Sequence, residues 1–192
     1  MTRRVLTEAE HIAMMNAEHE RRLRENPRPP LPLQKHAKIA IFRQFIQVRS
    51  MVHTGVISGD PDGYLRYLDP EADDVTLGAS TWEALNASRM IDPKDPLADE
   101  IVATGPQRFD ALEAQMMARA GVKTFRTFYR DWGVVSVQLM DGQVTIVGHE
   151  PISRGGWNGL RGHQGITLPE EAPDADLGAA IRAELAISRA AR

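Results

Sequence analysis

Apolar side chains alternate with polar ones through residues 37–48 and again through 51–58. Ile39, Ile41, Phe42, Phe45, Ile46 and Val48 make the first run β-prone. The cluster Gly59-Asp60-Pro61-Asp62-Gly63 is a turn, and Tyr64–Leu68 reads as a short strand after it. Spacing then becomes helical over Asp74–Arg89. Pro93, Pro96 and Gly105-Pro106 punctuate a loop, and a second helix over about 107–119 ends at Gly121. The clearest β signal is a meander over 123–148, with strands at Lys123–Trp132, Val134–Met140 and Gln143–Gly148. Asp141-Gly142 is its two-residue hairpin turn. A glycine-rich stretch from Gly155 to Gly165 leads to a strand at Ile166-Thr167-Leu168 and a final helix over about 174–190. Mainly antiparallel strands flanked by helices define a single α+β domain, expected over 37–192.

Upstream, residues 8–25 form an amphipathic pattern with Ile12, Met15 and Leu23 on one side, and Thr7 with Glu10 supplies a capping box. Asn26-Pro27-Arg28-Pro29-Pro30-Leu31-Pro32 stops that helix, because proline cannot continue it. Residues 1–36 therefore read as an N-terminal helical arm with a proline-rich linker.

One segment occurs twice. Residues 68–89 recur as 168–189 without a gap, with 10 of 22 positions identical. Each copy begins at the end of a strand, at Leu68 or Leu168. Asp74 and Asp174 stand where a side-chain oxygen would cap a helix start. Leu77 and Leu177 begin the buried face, and Leu85 and Leu185 return to it two turns later. Gly78 and Gly178 cost a helix about 1 kcal/mol each relative to alanine, so each is expected to allow close packing on the sheet. A Ser-Arg pair closes each copy, with the cation at the negative helix end. The two copies predict matching strand–turn–helix units.

Composition narrows the function classes. The chain has 192 residues, a net charge of −3 and no cysteine. A basic stripe for nucleic acid or anionic membrane is missing, and so are disulfides, thiolate metal sites and cysteine nucleophiles. Arg3-Arg4 is followed by polar residues rather than an apolar leader, and no apolar run is long enough to span a membrane, so a cytoplasmic location is expected. Residues 1–36 carry seven basic and five acidic side chains, so the acidity lies in the domain.

Chemistry is sparse. Phosphate-loop, zinc-protease and nucleophile-elbow motifs are missing. His11 and His19 stand two helical turns apart, too far to share a metal, and no metal or cofactor is expected. His149, Glu150 and His163 could assemble an acid–base site if the glycine-rich loop folds back, which defines the alternative reading as a small enzyme or adaptor. Asp60, Asp62, Asp69, Glu71, Asp73 and Asp74 cluster around one helix start, beyond what capping needs. Such a patch would steer a basic partner, and Trp157 would supply an aromatic anchor.

The doubled Leu-x-Pro…Asp…Leu-Gly-Ala…Leu…Ser-Arg segment resembles the immunity proteins of contact-dependent growth inhibition (CDI) systems. Gly121-Val122-Lys123-Thr124 resembles the Gly-x-Lys-Thr strand start found between the copies in that family. The resemblance runs from about Phe45 to Arg189 and leaves residues 1–36 aside. It implies a non-enzymatic protein that binds and neutralises a toxin domain, commonly a nuclease. The Ile91–Gly105 loop and the stretch around Trp157 depart from the pattern and are where partner specificity is expected.

Overall fold

Two β-hairpins form the middle of the sheet, and they are copies of each other. The computed structural model describes residues 7, 14, 15, 17, 18, 21 and 32–191. In the first unit, Met1–Pro32, Met14, Met15, Ala17, Glu18 and Arg21 are helical, and Arg21 pairs with Glu18 at 2.9 Å. The rest of the expected 8–25 helix, including His11 and His19, lies outside the described residues. The remaining description concerns Leu33–Arg192, one α+β domain.

Strands β1 (Gln34–Ile41) and β2 (Ile46–His53) are joined through Phe42–Phe45. The run read as 37–48 is thus two strands, and β1 starts ahead of position 37. Phe42 N–H bonds the Phe45 carbonyl at 2.9 Å, reversing the chain where both aromatic rings turn inward. β3 (Ile57–Gly59) and β4 (Leu65–Leu68) both pair with β2. Helix α1 (Asp74–Asn86) follows, then β5 (Arg89–Met90), parallel to β2. After α2 (Pro96–Ala120) and the short α3 (Phe125–Phe128) come β6 (Gly133–Met140), β7 (Gln143–Pro151), β8 (Trp157–Gly159), β9 (Ile166–Pro169) and α4 (Asp174–Ala190). Asp141 and Gly142 both have positive φ, 52° and 73°, as the two-residue turn of the β6–β7 hairpin requires.

The sheet order is β3-β2-β1-β6-β7-β8, with β4 also on β2 and β9 also on β7. Its registers repeat. Ala37↔Ser50 in the first hairpin corresponds to Val135↔Gly148 in the second. Ile46↔Leu68 corresponds to Val144↔Leu168, and Met51↔Gly59 to His149↔Gly159. β1 pairs with β6 so that Lys38 faces Ser136, its own counterpart. The duplication read at 68–89 and 168–189 therefore extends through whole β-hairpin, edge-strand and helix units, related by a pseudo-two-fold axis between Lys38 and Ser136.

The repeated residues explain this arrangement, with corrections. Leu77, Leu85, Leu177 and Leu185 are buried in the core between the sheet and α1/α4. Gly78 and Gly178 pack helix on helix rather than helix on sheet: an added methyl at Gly78 would meet the Asp174 carbonyl, and one at Gly178 the Asp74 carbonyl. Asp73, not Asp74, caps α1, accepting the Thr76 N–H at 2.7 Å. Asp74 instead receives Arg182 at 2.7 Å. Pro173 occupies the cap position of α4, so Asp174 is a first-turn acid that makes no capping bond. The serine of each copy joins two strands. Ser88 accepts from His36 N–H at 2.8 Å and donates to the Met51 carbonyl at 2.7 Å. Ser188 does the same for Val134 N–H at 2.9 Å and the His149 carbonyl at 2.5 Å. Arg189 stays in the last turn of α4, whereas Arg89 has left α1 for β5.

Two segments between the halves also differ from expectation. Residues 123–132 are not a strand: Phe125, Phe128, Tyr129 and Trp132 follow helical spacing, Thr124 caps α3, and the last three rings are buried around Phe42. Most of the expected loop at 91–105 is helix. Asp95 caps α2, Pro96 opens it where a missing N–H costs nothing, and the helix continues through Gly105-Pro106.

Candidate partner-binding surface and axial cavity

The acidic cluster does not stand as one exposed patch. Asp60 has a side chain 0% exposed and receives Arg89 through two bonds, Nε to Oδ2 at 2.7 Å and Nη2 to Oδ1 at 2.5 Å. Asp62, 73% exposed, lies 3.6 Å from the same guanidinium. Asp69 accepts the Glu71 N–H at 2.8 Å, and Asp73 and Asp74 serve α1 as described. Asp62 and Glu71 thus present charge outward, while Asp60 organises the turn. Asp60→Asn keeps the side chain's shape but removes a charge-assisted pair, so about 1.5–3 kcal/mol of stability should be lost. Urea unfolding should show a lower midpoint with an unchanged slope; a parental midpoint would exclude a structural role for this carboxylate.

His149, Glu150 and His163 do not converge. His149 Nε2 bonds Ser136 Oγ at 2.7 Å on the sheet face away from α1 and α4. His163 Nε2 bonds Glu184 Oε2 at 2.6 Å, and that carboxylate also accepts the Gly148 N–H at 2.7 Å. Glu150 pairs in register with Asn158 on β8. The alternative acid–base site is therefore split between the two faces of the sheet.

The same fold builds a site around other residues. Trp157 is 37% exposed and its ring lies 3.5 Å from Lys38 Nζ. Together they border a cavity of about 250 Å³, also lined by His36, Ser136, Gln138 and His149 on one side and Met51 and Ile57 on the other. Ile57 is the counterpart of Trp157, Met51 of His149, and Lys38 of Ser136, so the cavity lies on the pseudo-two-fold axis. Gln34 fixes its upper end, accepting from Gln138 at 2.7 Å and lying 3.1 Å from the rings of both His36 and His53. Burial, with His53 beside it, pushes His36 below the usual histidine range; burial and then Lys38 do the same to His149. Alternation in Gln34-Lys35-His36-Ala37-Lys38 was the available signal for this polar row, but alternation alone also describes a solvent-facing strand.

The strands, both copies of the repeat and the serine bridges fall within one stretch. The family model for CdiI, the CDI immunity protein, matches residues 35–188. The chain belongs to the CDI immunity protein family. Immunity protein CdiI-YPIII of Yersinia pseudotuberculosis is 27% identical over 145 residues, covering 68% of this chain and 80% of that relative. Two solved structures share the fold. A Neisseria meningitidis protein of unknown function superposes with a TM-score of 0.76 at 18% identity, over 83% of this chain and 98% of its own. A chain from a CdiA-CT/CdiI toxin and immunity complex of Yersinia pseudotuberculosis gives 0.69 at 21% identity, over 82% and 97%. In this CDI family member the match ends at Ser188, the second serine bridge, so it spans both halves of the duplicated fold. Among the described residues, no group of three metal-ligating side chains converges, and no helix is long and apolar enough to cross a membrane.

Proposed function

We propose that this protein binds the toxin domain encoded beside it and neutralises that toxin by covering its active site or substrate surface, acting in the cytoplasm as an inhibitor rather than an enzyme. The family match across both halves carries the reading. His149 and His163 are bonded to different partners, Ser136 and Glu184, rather than to each other, which favours an inhibitor over a catalyst. Asp62 and Glu71 offer charge and Trp157 offers an aromatic anchor, which suits a basic toxin such as a nuclease. Direct nucleic-acid binding has no basic stripe to support it.

Co-expression with the adjacent toxin domain should restore growth, and the two proteins should co-purify as a complex. Growth arrest that persists with both proteins present, together with no complex, would refute the reading. Within it, Asp62→Lys combined with Glu71→Lys should slow association by about tenfold at low salt and flatten its salt dependence, since exposed charges act mainly on encounter. An unchanged association rate would move the contact to the Trp157 side.

A further inference from the structure

Lys38 lies in the middle of the sheet and is 6% exposed. Its ammonium contacts the Trp157 ring, and no carboxylate or hydrogen-bond acceptor pairs with it among the described residues. Its cross-strand partner is a second cation, Arg49, whose Nε is buried without a hydrogen bond. Like charges directly opposite on neighbouring strands repel, and a buried cation without a counter-charge is unfavourable. Burial first, and Arg49 second, hold the Lys38 amine well below the usual lysine range. The buried carboxylates Asp60, Glu113 and Glu184 are committed elsewhere, to Arg89, to Tyr129 and Arg154, and to Gly148 and His163 respectively. Among the described residues, the fold thus contains a built cationic position with no internal anion.

Beside Lys38, the cavity offers the Ser136 hydroxyl, which lies 2.7 Å from His149 Nε2. Burial disfavours the charged forms of His36 and His149, so both add polarity more readily than charge. One cation with neutral donors around it matches a singly charged, planar oxyanion better than a doubly charged phosphate. We propose that the axial cavity binds a carboxylate group, held by Lys38 and Ser136 beneath Trp157. The proposal rests on the cavity and is independent of the immunity reading. The carboxylate has two possible sources, an acidic side chain of the toxin or a free small carboxylic acid.

The test uses the full chain titrated with sodium acetate, with sodium chloride as the ionic-strength control, and follows tryptophan emission. Acetate should produce a saturable change that chloride does not, and both Lys38→Met and Trp157→Phe should abolish it. Lys38→Met retains the length of the side chain and removes an uncompensated charge, so its thermal midpoint should equal or exceed the parent's. A second arm measures affinity for the adjacent toxin domain. A toxin-borne carboxylate predicts that Lys38→Met weakens the complex about tenfold and that acetate competes with the toxin. A free carboxylic acid as the source predicts unchanged toxin affinity while the acetate response stays Lys38-dependent. If neither acetate nor the toxin responds to Lys38→Met, the proposal is overturned. If the toxin fails to bind the parent protein but the acetate response remains, the immunity reading fails and the cavity assignment stands.

Discussion

Gly78→Ala should lower the thermal midpoint by about 6–12 °C, the shift expected for about 3 kcal/mol in a domain of this size. Alanine ordinarily stabilises a helix interior by about 1 kcal/mol relative to glycine. Here the new methyl would fall on the Asp174 backbone carbonyl, and backbone cannot rotate aside as a flexible side chain can. Helices α1 and α4 would have to separate, loosening Leu77 and Leu177, both fully buried beneath them. Gly178→Ala should behave alike, because its methyl would meet the Asp74 carbonyl across the same axis. The control is Gly105→Ala in α2, where nothing lies within 4 Å and a neutral or slightly stabilising effect is expected. Equal midpoints for all three variants and the parent would show that the glycine contact does not set the helix spacing.

Glu184→Ala should cost about 3–5 kcal/mol, the scale for breaking a buried charged partnership from one side. The carboxylate is 1% exposed and holds both the Gly148 N–H of β7 and the His163 ring. Its loss leaves a buried backbone donor without an acceptor, at a point where α4 lies too close to β7 for a larger residue at 148. Glu184→Gln should recover much of the loss, since an amide oxygen can still accept from Gly148. Denaturant midpoints should rank parent, Gln and Ala in falling order. A Gln variant as unstable as Ala would show that charge rather than the hydrogen bond to Gly148 is what matters.

The strand–turn–helix repeat was legible because its helices conserve side chains with specific tasks: the leucines, the close-contact glycine and the strand-bridging serine. The duplicated hairpins were not, because a strand needs only the right apolar pattern. Ala37 can correspond to Val135, and Ile46 to Val144, without leaving an identity to count. Phe125, Phe128, Tyr129 and Trp132 are β-formers by type, and only their spacing announces the short helix α3 and the ring cluster after it. Pro96 and Pro106 both resemble breaks in the sequence, but one is favourable at a helix start and the other is accommodated inside α2. The acidic cluster was visible, but the pairing of Asp60 with Arg89 depends on β5 returning beside β2, which no local pattern announces. Alternation alone describes Lys38 as a residue on a wet strand face. Trp157 covers Lys38 on that face, and only the folded sheet reveals it.

A side chain on a two-fold axis must face a replica of itself when the two halves are separate, identical molecules. In a homodimer made from either half alone, the central pair would be lysine against lysine or serine against serine. Fusion into one polypeptide lifts that constraint, and here the mates are Lys38 and Ser136, with Met51 against His149 and Ile57 against Trp157. One half lines the recess with His36, Lys38, Met51 and Ile57, the other with Ser136, Gln138, His149 and Trp157. Tandem ancestry thus gives this protein a single, handed recess where symmetry would have dictated an even-sided one, and selection can alter either wall while the other holds the scaffold.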